Sequence, residues 1–468
     1  MAIGEKTKPN MLEGSVFWGL MRLMWPIMLM NVATALLAVI DMTVLGVMVD
    51  DNAVGSVGAC GMLGTLFTTF FIGIATGSNV AVARHIGAKH TEEVKTSVGT
   101  SLIIALCSGA LLLVFGIFCA RLTLIWNNCP ESLLDGATLY LQLYCIAAPF
   151  ILLYNFGASL LRAMGDTKSP MLFLIVGGVL KIVLNIVLIL LFKNGIAAVG
   201  ISTILSNLVT SLLILRTLLK RPELSGFRLL RMRFSAAEAK KILYVGVPVG
   251  VQSALWSVAN VVISAAVNTF GAAATKGISI ANQFDNVIFQ ISVSPAAATV
   301  SYVAQNAGAG NAARVRRTVL DSVLITVAFG ASFGALSALL SPQLSSLMTS
   351  DPAVIAYSRQ KMLLISGTYF VCGINYVMSG TLQGLEKPFV PTVSAFLYMC
   401  VLRFVWVYAV FPPMRAAFPN GPHLTFLYLV WPIGWVLAIV TALFFYFPAA
   451  NSVRSRTQQA SANIAETL

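Results

Sequence analysis

The feature that most constrains this chain is a series of long apolar stretches separated by short polar ones. The 468-residue sequence is 58% hydrophobic and only 10% charged, with a mean hydropathy of +0.86. Soluble proteins carry about 25% charged residues, and about 20 consecutive apolar residues are enough for a helix to cross a bilayer. Backbone groups in lipid must be satisfied within the chain, so such stretches form helices. The sequence therefore predicts an all-α, multi-pass membrane protein.

Twelve transmembrane helices are predicted and are numbered helix 1 to helix 12 in chain order. Their approximate ranges are 16–46, 55–83, 96–126, 134–161, 169–193, 195–220, 240–268, 275–306, 315–345, 353–382, 389–411 and 423–448. The first apolar stretch is too long for a cleavable signal peptide and lacks a small-residue cleavage site. We therefore expect it to remain as the first helix.

The net charge of +13 is distributed unevenly among the loops. Most Lys and Arg residues lie at the two ends of the chain and in the loops after helices 2, 4, 6, 8 and 10. The opposite set of loops contains only Arg121, Lys193, Lys276 and Arg415. Because cytoplasmic loops carry the excess of Lys and Arg, both termini are predicted to be cytoplasmic. The basic charge is then a sign of topology, and no nucleic-acid partner is expected.

The two halves of the chain resemble each other when the sequence is shifted by 221 residues. The shift places residues 83–88 (ARHIGA) on residues 304–309 (AQNAGA), and the register persists for about 90 residues. Each half holds an even number of helices, so both repeats enter the membrane with the same orientation. The sequence predicts two six-helix bundles, residues 1–225 and 226–468, around a central cavity.

Helix 1 carries a proline near its start, Pro26, and a single carboxylate near its end, Asp41. A proline inside a membrane helix frees a carbonyl group and bends the helix, so Pro26 is a candidate hinge. A carboxylate inside the membrane is costly unless it faces a wet cavity or a partner. Asp41 is therefore interpreted either as a cation or proton site, or as one half of a pair that holds helices together.

Asn185 on helix 5 and Thr203 on helix 6 lie at the depth of Asp41, roughly 12–14 Å below the outer edge at 1.5 Å per residue. An acid, an amide and a hydroxyl at one depth can form an ion-coupling site, although Asn and Thr also pack between membrane helices without other roles. Lys181 lies one turn from Asn185. It is interpreted as a partner of Asp41, as a competitor with a cationic substrate for Asp41, or as a ligand of an anionic substrate.

Several motifs resemble those of the multidrug and toxic compound extrusion (MATE) transporters. They are Trp25-Pro26 with Asp41 and Gly46, Leu161 to Pro170, Gly246-Val-Pro248, Val303 to Ala309, and Leu382-Gln383-Gly384. The resemblance covers nearly the whole chain and is closest to the DinF-like branch, in which an acid on helix 1 is a hallmark. It implies a monomeric antiporter of the bacterial inner membrane, without a cofactor. Such a protein exports cationic amphiphilic drugs or toxic metabolites in exchange for protons or Na⁺.

The resemblance also matches Asp41, Asn185 and Thr203 to the acid, asparagine and threonine of that branch. DinF-like relatives often carry a second acid four residues after the asparagine, where this chain has Ile189. A sodium site needs several oxygen ligands and compensating negative charge, so this departure favours proton coupling. The other MATE branch carries an acid after the proline of helix 7, where this chain offers only Gln252.

Further candidate residues lie on helices 1, 4 and 10 and in the C-terminal half. Those predicted to line a substrate cavity are Met28, Asn31, Tyr154, Asn155, Asn375 and Tyr376. Thioethers and aromatic faces suit apolar cations of many shapes, although ordinary packing explains most of the methionines. Asp285 on helix 8 and Arg403 on helix 11 are predicted to pair with each other.

Two other functions are alternatives to drug export. A flippase for lipids or lipid-linked precursors, from the same superfamily, predicts a cavity rich in Arg and Lys, for which Lys181 and Arg403 are thin support. A membrane-embedded enzyme is disfavoured because the three histidines lie in loops or at membrane edges and no His-x-x-x-His motif occurs. No Cys-x-x-Cys pair indicates a metal site. We therefore expect a transporter that is not an enzyme, with small molecules and membrane lipids as its partners.

Overall fold

The computed structural model describes residues 11–467 except 50, 128, 193–194, 230–231, 419–420 and 422. This part of the chain holds twelve long helices and no strand, as the sequence predicts. The helices are α1 (Val16–Met48), α2 (Asp51–Gly87), α3 (Thr91–Trp126), α4 (Glu131–Ala163), α5 (Lys168–Leu191), α6 (Gly195–Leu219), α7 (Ala236–Asn268), α8 (Ala272–Gly308), α9 (Ala312–Leu339), α10 (Pro352–Gly384), α11 (Phe389–Ala417) and α12 (His423–Val453). Among the described residues, every one of these except α7 contains a segment long and apolar enough to cross a membrane.

Most of the helices extend several residues past the apolar ranges predicted from the sequence, because a helix continues into water where its hydropathy falls. Helix 9 is an exception: it was predicted to reach residue 345 but ends at Leu339. Pro342 follows, in the first turn of a separate short helix, Ser341–Ser346. A proline has no N–H to donate to the preceding turn, so it cannot continue α9.

The described chain divides into two compact units, and both boundaries lie inside a helix. The N-terminal unit is Leu29–Gly250, and the C-terminal unit is Val251–Leu468 together with the described residues before Leu29. The boundary in α1 comes two residues after Pro26, and the boundary in α7 comes two residues after Pro248. Each proline removes one intrahelical hydrogen bond. The missing bond lies close to the residue at which the helix passes from one compact unit to the other. The predicted lobes, 1–225 and 226–468, stay a prediction.

The residues just before α1 and the first half of α1 are anchored in the C-terminal unit, the former by backbone hydrogen bonds and the latter by apolar side chains. Arg314 donates hydrogen bonds to the carbonyl oxygens of Met11, Glu13 and Gly14 at 2.9–3.2 Å. Asn306 donates to the carbonyl oxygen of Met11 at 3.1 Å. The apolar side chains of this segment join a buried cluster: Leu20, Leu23, Met24 and Ile27 with Tyr302 and Ile325. These contacts explain why the segment belongs to that unit.

Helices α2 and α7 approach each other closely in the N-terminal unit because glycines face one another at their crossing. A Cβ on Gly77 would lie 2.1 Å from the carbonyl oxygen of Ile242, and one on Gly73 would lie 2.4 Å from the Cα of Gly250. Real Cβ atoms do not approach so closely. Only glycine permits such an approach of two backbones.

An ion pair joins the ends of the same two helices outside the predicted transmembrane spans. His85 on α2 lies 3.0 Å from a carboxylate oxygen of Glu238 on α7, and Lys241 donates to the other oxygen at 2.7 Å. Burial acts to raise the pKa of Glu238, but the hydrogen bonds and charges of His85 and Lys241 outweigh it and lower that pKa to about 2. The ionised carboxylate is thus favoured by folding.

We expect Glu238→Gln to lower the thermal stability of the purified protein at neutral pH. The contribution of a carboxylate with a depressed pKa is present above its unfolded value, about 4.5, and is lost as the pH falls towards its folded value. The difference in unfolding midpoint between wild type and variant should therefore narrow between pH 4.5 and pH 2. Glu92→Gln is the matched control, because Glu92 pairs with Lys95 on an exposed surface. An unchanged difference over that pH range would contradict the assignment.

Candidate functional site

A buried polar cluster in the N-terminal unit brings together Asp41 and Asn185, which the sequence predicted at one depth, with Lys181, which was predicted one turn deeper. Lys181 Nζ donates to Asp41 Oδ2 at 2.6 Å, and Asn185 Nδ2 donates to Asp41 Oδ1 at 2.5 Å. The side chains of Asp41 and Lys181 are 17% and 23% exposed, whereas Asn185 is fully buried. Both oxygens of the carboxylate therefore accept hydrogen bonds from nitrogen donors. The side chains of the ion pair remain partly exposed.

A second layer of hydroxyl groups on α6 and α4 holds this cluster in place. Ser202 donates to Asn185 Oδ1, which fixes the amide so that its nitrogen faces Asp41. The hydroxyl of Thr203 donates to the carbonyl oxygen of Val199 at 2.9 Å and is hydrogen-bonded to Tyr140, and it makes no hydrogen bond with Asp41. Thr203 therefore belongs to the wall around the cluster rather than to its centre.

Apolar side chains pack next to the cluster, one helical turn from Asn185. Ile189, one turn beyond Asn185, packs against a buried group of α1, α2, α3, α4 and α6 side chains. These include Leu45, Leu141 and Val199, all at most 1% exposed. The position where DinF-like relatives often carry a second acid is thus part of the apolar core and contributes no oxygen ligand.

The C-terminal unit holds a second acid–lysine cluster, which corrects the predicted pair of Asp285 with Arg403. Asp285 on α8 lies 2.9 Å from Lys361 Nζ on α10, and its other oxygen accepts a hydrogen bond from Ser366 at 2.7 Å. Lys361 also donates to Asn282 Oδ1. Lys361 forms an ion pair with Asp285 because α8 packs along α10. Arg403, the predicted partner of Asp285, contacts other residues.

Arg403 instead donates a hydrogen bond to Asn260 Oδ1 on α7 at 2.9 Å. Its guanidinium group lies 4.6 Å from the ring centroid of Trp431. No carboxylate pairs with Arg403 among the described residues. The helix is irregular on both sides of it: π-helical turns at Phe396–Val401 and Trp406–Val410 flank the short α-helical segment Leu402–Val405.

The residues predicted to line a substrate cavity are divided between the two compact units. Met28 is buried in the C-terminal unit, whereas Asn31 follows the boundary and lies half-buried in the N-terminal unit. Tyr154 donates to the carbonyl oxygen of Pro170 at 2.7 Å, and Asn155 donates to the carbonyl oxygen of Ile151 in its own helix.

On α10, Asn375 lies in a small crevice beside Gln252 and Ser379. The ring of Tyr376 packs edge-on against Phe289, with their centroids 5.6 Å apart. Their role towards a substrate, like that of Met28, Asn31, Tyr154 and Asn155, stays a prediction.

Sequence reasoning missed Ser202, Tyr140 and Lys361. Lys361 carries the same signal as Lys181, a basic residue within a predicted transmembrane helix, and that criterion alone identifies it. Ser202 is adjacent to Thr203, so the depth argument applied to it equally, but only the structure shows which of the two faces Asn185. Tyr140 has no such signal, since buried tyrosines are common in apolar helices.

Comparison with known proteins is consistent with this fold. The sequence profile of the MatE family matches the chain twice, at residues 26–187 and 248–409. The two matches begin at Pro26 and Pro248 and confirm the internal repeat. The chain is similar to the probable multidrug resistance protein YoeA of Bacillus subtilis, with 27% identity over 83% of this chain and 84% of that protein.

Two solved structures are similar in fold. A MATE protein described as in the straight conformation gives a TM-score of 0.85 at 21% identity and covers 97% of this chain and 100% of the solved one. Another, described as in the bent conformation, gives a TM-score of 0.84 at 19% identity and covers 97% of this chain and 99% of the solved one.

Proposed function

Since this chain belongs to the MatE family of multi-pass membrane transporters, which are not enzymes, we propose that it is a secondary active antiporter. It exports cationic amphiphilic drugs or toxic metabolites in exchange for protons by alternating access. We assign it to the DinF-like branch, because its intramembrane acid is Asp41 on the first helix and helix 7 offers Gln252 where the other branch has an acid. The gradient replaces any cofactor, and the two termini face the cytoplasm of a bacterial inner membrane.

The observation that carries this proposal is the arrangement of donors around Asp41. A carboxylate inside a membrane protein is costly and marks ion or proton pathways. Here it is accompanied by Lys181 and Asn185 and remains partly accessible. A carboxylate with a nearby lysine can exist in two states, paired when it is ionised and released when it takes up a proton. Asp41 is therefore suited to couple a proton to a change in its surroundings.

The same donors favour a proton over sodium as the coupling ion. Sodium is a hard cation, and such ions are bound by oxygen ligands. Both carboxylate oxygens of Asp41 face nitrogen donors, the oxygen of Asn185 is taken by Ser202, and Ile189 supplies no second carboxylate. A Na⁺ ion would also be repelled by the ammonium group of Lys181. A proton needs only one carboxylate oxygen.

Competition for Asp41 explains how protons and substrate exchange. The substrate cation, the ammonium group of Lys181 and a proton can each neutralise the carboxylate, but a proton removes the charge that the other two require. Lys181 carries its charge on a flexible four-carbon stem and can turn aside when a substrate cation arrives. Protonation of Asp41 then releases the substrate. Met28, Asn31 and the polar residues of α4 and α10 are proposed to contact its apolar part.

Pro26 is proposed as the hinge of α1. It lies at the point where the packing of α1 changes from one compact unit to the other. Solved relatives of similar fold are described in straight and bent conformations. A bend at Pro26 would move the second half of α1, which carries Asp41. Because proline has no backbone N–H, such a bend breaks fewer hydrogen bonds than a bend in a regular helix.

The proposal is tested by export of a fluorescent cation from proteoliposomes under imposed gradients. We expect a proton gradient to drive export and a sodium gradient of the same size, at equal pH on both sides, to leave it at the level of protein-free vesicles. A strict requirement for sodium would overturn the choice of coupling ion. Export driven by neither gradient would overturn the antiporter.

The rival function, a flippase for lipid-linked precursors, would require that cations outnumber acids at the Asp41 cluster if this cluster served as its transport site. In the described part of the N-terminal unit, Lys181 is neutralised by Asp41. The cluster therefore offers no surplus of positive charge for a phosphate, and drug export remains the function that this site favours.

A further inference from the structure

A partly open cavity of about 380 Å³ lies entirely within the C-terminal unit, between α7, α8, α10 and α12. Sites for small molecules occupy about 300–1,000 Å³, so this cavity has room for a molecule of one or two rings. Its lining residues are distant in sequence from the Asp41 cluster, and none of them belongs to that cluster. The proposed antiport mechanism makes no use of it.

Six aromatic side chains contribute to its walls, and several of them are stacked on each other. The six are Trp256, Phe289, Tyr369, Tyr428, Trp431 and Trp435. Trp256 and Phe289 are stacked with ring centroids 5.6 Å apart, and Tyr428 and Trp431 are stacked at 4.8 Å. The face of such a stacked pair can accept a further flat ring by offset stacking.

The charged groups at this cavity leave one positive charge uncompensated. Asp285 is the only carboxylate among the lining residues of the described chain; its Oδ2 forms an ion pair with Lys361 at 2.9 Å, and its Oδ1 accepts a hydrogen bond from Ser366. Arg403, directly behind Asn260 and Trp431, is 2% exposed and has no carboxylate partner among the described residues. A buried charge is costly unless it is paired. An arginine cannot relieve that cost by losing its proton under ordinary conditions.

The backbone around Arg403 supports a specific role for this position. The π-helical turns on either side of it are rare in proteins and occur frequently at functional sites. They replace regular helical hydrogen bonding over Phe396–Val401 and Trp406–Val410, which a purely structural arginine would not require. Asn260 accepts its hydrogen bond from Arg403 through Oδ1, and its amide nitrogen makes no hydrogen bond with the described residues. That nitrogen is left to donate into the cavity.

From these observations we propose that the cavity of the C-terminal unit binds a small aromatic carboxylate. The ring stacks between the aromatic walls, and the carboxylate accepts hydrogen bonds from Lys361 and from the amide nitrogen of Asn260. Arg403 holds Asn260 in that orientation and supplies the balancing positive charge. A cationic ligand is disfavoured, because it would have to displace Lys361 from Asp285 next to a second buried cation.

The test uses two ring-matched quenchers of opposite charge, 4-nitrobenzoate and 4-nitrobenzylammonium. The purified full-length protein in detergent is titrated with each, and the tryptophan fluorescence lifetime is followed. Three of the seven tryptophans line the cavity, so we expect saturable quenching by nitrobenzoate only. Trp431→Phe should remove a large part of that quenching, and Arg415→Gln, which removes another arginine of the unit that lies over an aromatic ring, should leave it unchanged.

The charge requirement is tested with three variants. We expect Arg403→Gln to raise the nitrobenzoate concentration for half-maximal quenching at least tenfold, with Arg403→Lys intermediate. The double variant Lys361→Gln/Asp285→Asn removes the lysine without leaving its partner unpaired, and it should weaken binding similarly. Saturable quenching by 4-nitrobenzylammonium at equal or lower concentration, unchanged affinity in these variants, or no saturable quenching of the wild type would each overturn the proposal. Asp41→Asn should bind nitrobenzoate normally, so this outcome is independent of the antiport function.

Discussion

Asp41→Asn is expected to abolish proton-driven export, with a loss of at least a hundredfold in the initial rate of transport from proteoliposomes. An amide has almost the size of the carboxylate but neither accepts a proton at these pH values nor carries the charge that attracts a cation. The variant also leaves the ammonium group of Lys181 without its partner. Both effects remove the exchange of proton for substrate at this site.

Loss of transport must be separated from loss of folding, because removing one partner of a buried ion pair is itself destabilising. The double variant Asp41→Asn/Lys181→Gln restores the charge balance of the cluster. We expect its unfolding midpoint to return towards that of the wild type while its export stays absent. Recovery of export in the double variant would show that Asp41 serves only to neutralise Lys181, and undiminished gradient-coupled export by Asp41→Asn would remove the coupling role altogether.

Asp135→Asn is the control for the removal of a carboxylate elsewhere in the same unit. Asp135 pairs with Arg121 at 2.7 Å, but its side chain is 85% exposed. Exposed ion pairs contribute little to stability. We therefore expect this variant to export at the wild-type rate and to unfold at the wild-type temperature.

Gly77→Ala is expected to destabilise the protein strongly, although it adds only one methyl group. Its Cβ would lie 2.1 Å from the carbonyl oxygen of Ile242 and 2.8 Å from the backbone nitrogen of Gly246. Over-packing of a core costs about 1–3 kcal/mol, and here no side chain can rotate away because both neighbours are backbone. We expect a loss of about 3 kcal/mol, measured as a fall in the thermal unfolding midpoint of the purified protein.

Gly58→Ala, on the same helix, is the matched control for this substitution. A Cβ at Gly58 would meet no atom of the described residues within 4 Å. Alanine is favoured over glycine in a helix by about 1 kcal/mol, so this variant should be as stable as the wild type or slightly more stable. A Gly77→Ala protein that unfolds at the wild-type temperature would show that α2 and α7 separate at no cost, contrary to the close crossing in the structure.

The membrane fold could be predicted from the sequence because its physical signals are local. Runs of apolar residues are long enough to span lipid, and Lys and Arg mark alternate loops, without reference to any partner in the fold. The repeat could be found in the same way, and the two matches of the family profile confirm it. Helix ends were less accurate: α9 ends at Leu339 because of Pro342, whereas hydropathy alone extends it to residue 345.

The polar clusters of the two units show which side-chain contacts the sequence could predict and which it could not. Depth along a helix follows from counting residues, and it correctly brought Asp41 near Asn185 and Lys181. The direction in which a side chain points depends on the rotation of its helix against its neighbours. For that reason Ser202 rather than Thr203 contacts Asn185, and Lys361 rather than Arg403 contacts Asp285.

The sequence by itself determined that this chain is a helical membrane protein with a parallel repeat, and that its first helix carries a proline and an acid. Only the tertiary structure decided which donors surround that acid. It also places the boundaries between the two compact units inside α1 and α7, and it leaves Arg403 without a carboxylate partner among the described residues. The reason is physical. Burial in lipid selects residues one at a time along the chain, whereas partners of buried charges are chosen by the packing of helices far apart in sequence.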